Sequence, residues 1–343
     1  MKKHTRIAVD QYSARIGQLN DTTNVASTFS VDPSVQQKLE TKMQESSEFL
    51  SKVNVITVTD QEGEKIGLGV SGPIASRTNT DVAGKTRKTR DVSGLSSGKY
   101  RCEKTNFDTH ITYARLDAWA KFPTFQTVIA SAILDRQALD RIMIGFNGIK
   151  VSPDTDIDAN PLLQDVNKGW LQHLREDAPE NVLGLVGKEL PGKVIIGTAA
   201  GADYVNLDSA VMDATELLDP WYVGDTGLVA IVGRKLLSDK YFPLINTKQA
   251  PTETLAADVI VSQKRIGNLP AVSVPFFPDN AILITRFDNL SIYVQEGARR
   301  RRLVDAPESD CIKNFESSND AYVIEDNGLA VLIQNIEHQP VQA

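Results

Sequence analysis

Residues 67–72, Gly-Leu-Gly-Val-Ser-Gly, space three glycines as G-x-G-x-x-G. In a dinucleotide-binding loop that spacing lets the backbone turn tightly, approach a pyrophosphate and open a helix whose first N–H groups hold it. The context here differs. The glycines lie inside or at the end of a strand pattern, and Pro73 follows at once. No helical period opens after it, and no acidic residue ends a second strand ~20 residues on. The residues alone favour a glycine-rich strand where another backbone comes close. A nucleotide-dependent enzyme using Gly67 to Gly72 is the rival.

Other chemical patterns fare similarly. Gly84-Lys85-Thr86 ends like a phosphate-binding P-loop, but the first glycine position holds Asn79 and no strand–helix context surrounds it. Asp154, Asp156 and Asp158 resemble the start of a calcium loop, yet Ala159 and Asp165 stand where glycine and glutamate belong. An acidic loop ahead of a helix cap at Asn160-Pro161 is expected instead. His4, His110, His173 and His338 show no ligand spacing. Cys102 and Cys311 form neither a CxxC pair nor a disulfide framework. No nucleophile elbow or HExxH motif occurs. The expectation is no catalytic residue, no cofactor and no metal. Two basic clusters remain: Lys85, Arg87, Lys88 and Arg90, and the run Arg299, Arg300, Arg301 and Arg302. DNA contact is one reading of them. Ion pairs with a neighbouring subunit are favoured on an acidic chain, and a solvated face is the plain alternative.

The 343 residues carry a net charge of −7, with 41% hydrophobic and 24% charged residues. That balance is ordinary for about two globular domains and disfavours broad adhesion to nucleic acid. The basic start lacks the apolar stretch of a secretory signal, and no run approaches the ~18 apolar residues of a membrane span. A soluble chain in a reducing cytosol is expected.

The elements follow from periodicity. Ala8, Tyr12, Ile16 and Leu19 mark a helix over residues 5–20, and the polar segment 21–30 reads as a linker. Asp32 as N-cap and Pro33 open a second helix, with Val35, Leu39, Met43, Phe49 and Leu50 as its stripe to about Ser51. Residues 54–60 and 65–70 pair as a hairpin turning at 61–64, followed by a long polar loop to Gly98 and a strand over residues 100–116. A helix spans 124–146, and another follows Asn160-Pro161 with Leu163, Val166, Trp170 and Leu174. Mixed helices and strands come next, and strands dominate beyond Pro270. The fold class is α+β. An arm, a hairpin and a polar loop precede the first core helix. Such parts bury little in their own subunit and gain stability by lying on another copy. The inference is an interlocking assembly.

The blocks MQESSEFL, GEKIGLGVSGPIAS, DRIMIGFNG, NPLLQDVNKGWLQ, LVAIVGRKLLSDKYFP and LAADVIVSQKRIGNLPAVSVPFFP carry a resemblance. The chain resembles, from about residue 5 to 335, the major capsid protein precursor of P2-type tailed phages. The resemblance implies an HK97-like phage capsid fold. Its parts would be a scaffold-type segment at 1–29, an N-terminal arm at 30–52 and an extended β-hairpin loop at 53–115. A peripheral domain would start at 116–189 with a spine helix at 124–146. An axial domain would fill 190–295, and return strands to the peripheral domain 296–343. Function would be self-assembly into hexamers and pentamers of an icosahedral procapsid, with an internal protease-bearing scaffold and a portal. The mature shell would enclose double-stranded DNA without reading its sequence. The implied location is the virion, after assembly in the host bacterial cytoplasm. Maturation cleavage would fall at Phe29-Ser30. Gly67, Gly69 and Gly72 would lie in the hairpin that crosses a neighbour. The shell of an encapsulin-like bacterial compartment is the rival within the fold.

Overall fold

The computed structural model describes residues 1–65, 69–70, 75–81, 84–89, 93–94, 98–120, 125–184, 192–246 and 264–339. Helices begin where local signals place them. α1 spans Lys3–Leu19, and α2 spans Pro33–Glu45. The Asp32 carboxylate accepts the Ser34 N–H at 2.8 Å, capping α2 as its Asp-Pro start requires. The helix stops short of Ser51. Phe49 and Leu50 remain buried, with Leu50 opening a short 3-10 turn, Leu50–Lys52. α3 (Tyr113–Trp119) and α4 (Phe125–Asn147) follow. The helix expected after Asn160-Pro161 starts only at Trp170, as α5 (Trp170–Asp177). Asn160 does not cap it. Its amide donates to the Asp156 carbonyl and the Asp165 carboxylate, and Leu163 takes a left-handed φ of 57°. α6 (Leu207–Thr215) and α7 (Arg234–Asn246) complete the set.

Two main sheets carry the helices. In the first, the 14-residue strand Cys311–Ile324 pairs with Arg300–Ala306, Leu290–Gln295, Glu103–Asn106 and Thr109–Thr112. Phe29–Ser30 adds to Arg300–Ala306, and Asn54–Val58 adds in parallel to Leu290–Gln295. The second sheet has six strands in the order Arg265–Ile266, Leu269–Val272, Val229–Val232, Ile282–Thr285, Val331–Ile333 and Val182–Leu183.

The hairpin differs from expectation. Asn54–Val58 does not fold back on residues 65–70. It joins the first sheet, where Val55 packs into the core beside Leu290, Ile292 and Val294. The projecting unit is instead rooted by Glu62–Glu64 against Lys99–Arg101, with Gly69–Val70 against Ser93–Gly94 further out. Glu103–Asn106 and Thr109–Thr112 belong to the sheet, so less of residues 53–115 projects than the expected boundaries imply. The last strands divide as well. Val331–Ile333 joins the second sheet, while Ile336–His338 pairs in parallel with Val194–Ile196.

The second sheet is buried on both faces, which explains its unbroken apolar runs. One face turns Ile231, Leu283 and Leu332 into a core shared with α2, α4, α5 and the first sheet. The other turns Ala230, Val232, Ile282, Ile284, Val331 and Ile333 toward α6 and α7. Trp170 is the hub of the shared core. Its ring meets Phe146, Tyr322 and Phe49 at 5.2, 5.5 and 6.1 Å, and its Nε1–H donates to the Ser291 carbonyl at 3.0 Å. Gly145 of α4 lets the ring in: a Cβ there would lie 2.3 Å from Trp170 Cζ3.

Gly145→Ala therefore tests the packing by the sign of its effect. Helix propensity alone would stabilise the chain by up to ~1 kcal/mol. Overpacking against Trp170 should instead destabilise it by roughly 1–3 kcal/mol in urea denaturation. A gain in stability would show that α4 and α5 are not in this close contact.

Candidate assembly interface

Three features adjoin the first sheet: the helix α2, the hairpin root and the N-terminal segment. The arm is fixed by a buried charge network. Arg141 of α4, 2% exposed, reaches Asp320 with Nε and Nη2 at 3.2 Å each, and its Nη1 donates to Glu40 of α2. Arg299, 1% exposed, gives Nη1 to the same Glu40 at 2.7 Å. Its Nε and Nη2 reach Glu316 at 2.8 and 2.5 Å. Gln137 closes the ring, accepting from Arg299 at 2.9 Å and donating to Glu316 at 3.2 Å. Three carboxylates thus share two guanidiniums in a dry site. Burial alone would raise the Glu40 and Glu316 carboxyls. The arginines overcome it, Arg141 and Arg299 for Glu40 and chiefly Arg299 for Glu316, and both sit below the ordinary value. For Asp320 burial wins, and its carboxyl is raised.

Sequence reasoning missed Glu40, Gln137, Arg141, Glu316 and Asp320. One signal was available: Arg141 stands among Ala138, Ile142 and Gly145, on the face of α4 that patterning assigns to the core. The run Arg299 to Arg302 needs division. Arg299 is consumed within its own subunit and offers no surface to another. Arg301 is half-buried, donating to Asn314 at 2.8 Å and to the Tyr12 hydroxyl at 3.0 Å. Arg300 and Arg302 are exposed, as strand alternation dictates.

The hairpin leaves the body at a partly buried anchor. Buried Lys65 sends its ammonium to the Ile324 carbonyl at 2.8 Å. Tyr100 packs edge-on against Tyr293 at 4.9 Å. Cys102 is fully buried, and burial pushes its thiol up to about 12, so it is inert. Gly69 lies in the outer ladder, and no described helix follows until Tyr113, so the described residues supply no helix N-terminus for a pyrophosphate. Gly67, Gly72 and Arg90 lie outside the described residues. Lys85, Arg87 and Lys88 are exposed.

The N-terminal segment is more ordered than a linker. Phe29–Ser30 is a short strand opposite Arg301 and Arg300. The Ser30 hydroxyl donates to the Gly297 carbonyl at 2.9 Å, and half-buried Phe29 joins an apolar cluster. Val9 and Ile16 of α1 enter that cluster with Leu116, Ile129, Leu303 and Ile312. Thr5 donates to Asp117 at 2.6 Å, and Arg6 meets Asp305 at 2.6 Å on the surface.

The acidic loop uses two of its carboxylates, those of Asp156 and Asp165, internally. Asp156 accepts the N–H groups of Asp158 and Ala159 at 3.0 and 3.2 Å, and Asp165 accepts that of Asp156 at 2.8 Å. Among the described residues no group of three His, Cys, Asp or Glu side chains could hold a metal ion. No described helix is long and apolar enough to cross a membrane.

An arm, a long helix across a sheet, a second doubly covered sheet and a projecting hairpin define a phage shell subunit of the HK97-like class. Solved structures agree. The satellite phage P4 procapsid including size determination (Sid) protein superposes over 100% of both chains, with a TM-score of 0.82 and 45% identity. The capsid of an empty GTA particle, at 16% identity over 85% of this chain and 90% of that one, shares the fold with a TM-score of 0.52. The chain belongs to the family described as phage major capsid protein, P2 family, whose pattern matches residues 8–336. It is 48% identical over 343 residues to the capsid proteins of Escherichia phage P2, covering 98% of this chain and 96% of that one. The major capsid protein of Serratia phage KSP20 is 43% identical over 346 residues, covering 98% and 97%. This chain is accordingly a structural subunit of a phage capsid.

The charge network sets a pH dependence with two signs. Glu40 and Glu316, held below 4.5, contribute stability that is present above that pH and lost as pH falls through their lowered values. Asp320, raised above 3.8, favours the folded chain below that pH and loses this contribution as pH rises. Glu40→Gln should cost roughly 1.5–3 kcal/mol at pH 7, since Glu40 alone bonds both guanidiniums and its loss weakens a charge-assisted bond to each, although each keeps a second carboxylate. Asp320→Asn should cost clearly less, because Asp320 bonds only one of the two guanidiniums and burial already disfavours its charged form. Urea denaturation at pH 7 and pH 4 measures both. Equal losses at pH 7 would refute the assignment of the surplus charge to Asp320.

Proposed function

We propose that this chain is the self-assembling shell subunit of a tailed double-stranded DNA phage and has no catalysis of its own. Hexamers and pentamers would close into an icosahedral procapsid around an internal scaffold, with a portal at one vertex. The shell would then mature to enclose the genome in the virion, after assembly in the host bacterial cytoplasm. The observation that carries this reading is the hairpin. Its root is locked into the body by Lys65, Tyr100 and Cys102, whereas the outer ladder Gly69–Val70 with Ser93–Gly94 pairs with no other strand among the described residues. An element so held has its natural support on another copy. Exposed Lys85, Arg87 and Lys88 would make contacts there. The second sheet with α6 and α7 would be the axial domain, taking in Val331–Ile333. The first sheet with α2, α4 and α5 would be the peripheral domain and α4 its spine.

Cleavage at Phe29-Ser30 would release α1 and leave the arm from Asp32 onward in place. Phe29 is half-buried and its strand is paired. The bond would therefore become a substrate only when this strand peels from Arg300–Ala306, as a protease that reads extended chain requires.

Electron microscopy of the chain co-expressed with its scaffold partner should show closed, uniform shells. Small soluble oligomers in the presence of intact scaffold would overturn the reading. The N-terminal sequence of mature particles should begin at Ser30, and a start well away from it would sink the cleavage assignment.

A further inference from the structure

The first sheet has one face under the helices and one face partly bare. Residues paired across strands share a face, and alternate residues along a strand change face. Arg299, Arg301, Leu303, Asn314, Glu316 and Asp320 face the helices. The other face therefore carries Arg300, Arg302, Lys313 and Phe315, with His110 opposite Lys313 and Lys104 opposite Asn319. Phe315 is 41% exposed, between the buried Asn314 and Glu316. Arg300, Arg302, His110 and Lys104 are exposed. The restraints on this charge among the described residues are slight: Arg302 Nε donates to the Ala26 carbonyl at 2.8 Å, and Lys313 lies 3.6 Å from exposed Glu308. Gathering like charges around an exposed aromatic ring on adjacent strands costs a lone subunit stability. On a chain of net charge −7 it is also a local reversal of sign. The face is built for a partner with carboxylates around an apolar tip.

The same chain displays such a tip. Ile157, at 68%, has the greatest exposure of the large apolar side chains described. Asp154, Asp156 and Asp158 flank it, all exposed. The Asp156 carboxylate pins the turn through two backbone N–H groups. Asp154 and Asp158 have no side-chain partner among the described residues. No ion pair joins this loop to the basic face within one subunit.

We propose that the Asp154–Asp158 loop of one copy docks on the Arg300/Arg302/Lys313/Phe315 sheet face of a second copy, Ile157 against Phe315 and carboxylates against the surrounding cations. The contact is heterologous, one patch meeting a different patch, as ring and shell closure require. Complementary charge sets its orientation and excludes mismatched approaches, since like-charge juxtaposition costs several kcal/mol. Nucleic acid is the other chemistry a basic face with an aromatic ring would take. It leaves the exposed Ile157 and its carboxylates without a role, whereas a second copy uses both. The proposal rests on the shell reading above.

The test uses the full chain co-expressed with scaffold. D154K/D158K and R300E/K313E should each fold, by circular dichroism and melting, and each lower the yield of shells by about tenfold or more, the effect of ~1.4 kcal/mol or more per contact. The four-fold combination should restore it. Arg302 is left intact because it holds Ala26. Independently, carbodiimide treatment of wild-type shells should join the 154–158 loop to Lys313 or Lys104, read by mass spectrometry of the peptides. I157S offers a milder variant should a reversal fail to fold, and should also lower the yield. Wild-type yield from either reversal, no recovery in the combination, or no such crosslink in intact shells would overturn the contact. So would retention of duplex DNA by wild-type subunits that R300E/K313E abolishes without affecting assembly. Absence of wild-type shells would overturn the shell reading itself, and this contact with it.

Discussion

Two arginines shared among three carboxylates hold the arm, the long helix and the first sheet in one arrangement. Glu40 arrives from α2, Arg141 from α4, Arg299 from just ahead of the strand Arg300–Ala306, and Glu316 and Asp320 from its neighbour Cys311–Ile324. Hydrophobic side chains of similar volume could fill that space with as much stability. They would not fix the register as a forked guanidinium does, because its donors leave little freedom in how a carboxylate meets it. Once Glu40 is engaged by both arginines, α2 can neither slide along α4 nor rotate away without breaking charge-assisted bonds to both at once. Trp170 works beside it, packing α4, α5 and the sheet through its ring and one indole bond.

How much of this was legible in the sequence depended on the range of each interaction. The Asp32-Pro33 start and the span of α4 are local facts, and they appear within a residue or so of where the pattern puts them. The pairing of Asn54–Val58 is not local. A strand sees the nearest plausible partner in sequence, residues 65–70, whereas the chain supplies a better apolar edge at Leu290–Gln295. The helix after Pro161 failed for another reason. Asn160 had the right type for a cap, but Asp156 and Asp165 compete for its amide.

The site followed the same rule. Context around the glycine motif argues against a dinucleotide loop in the sequence itself, because that chemistry needs a helix in a fixed place. The charge network was legible only at Arg141, since its partners come from other elements, most of them far away in the chain. The arginine run shows an intermediate case. Read as a block it is one basic cluster. Read as a strand it must alternate, and the structure sends Arg299 inward and Arg300 and Arg302 outward.

The first forty residues also show a gradient in how firmly the chain is held. α1 rests on a small aliphatic cluster and an exposed Arg6–Asp305 pair, the kind worth about 0–1 kcal/mol. Losing α1 uncovers apolar side chains and one half-buried guanidinium, Arg301, which keeps its bond to Asn314. Losing α2 would take the shared carboxylate Glu40 from both Arg141 and Arg299, which keep Asp320 and Glu316, at a cost of roughly 1.5–3 kcal/mol. The step between these regimes falls between Phe29–Ser30 and the Asp32 cap. A cut there removes a segment whose contacts another surface can replace. It spares the segment whose contacts nothing else can supply. That placement follows from where the buried charge lies, and it gives the proposed processing a physical boundary independent of any protease's sequence preference.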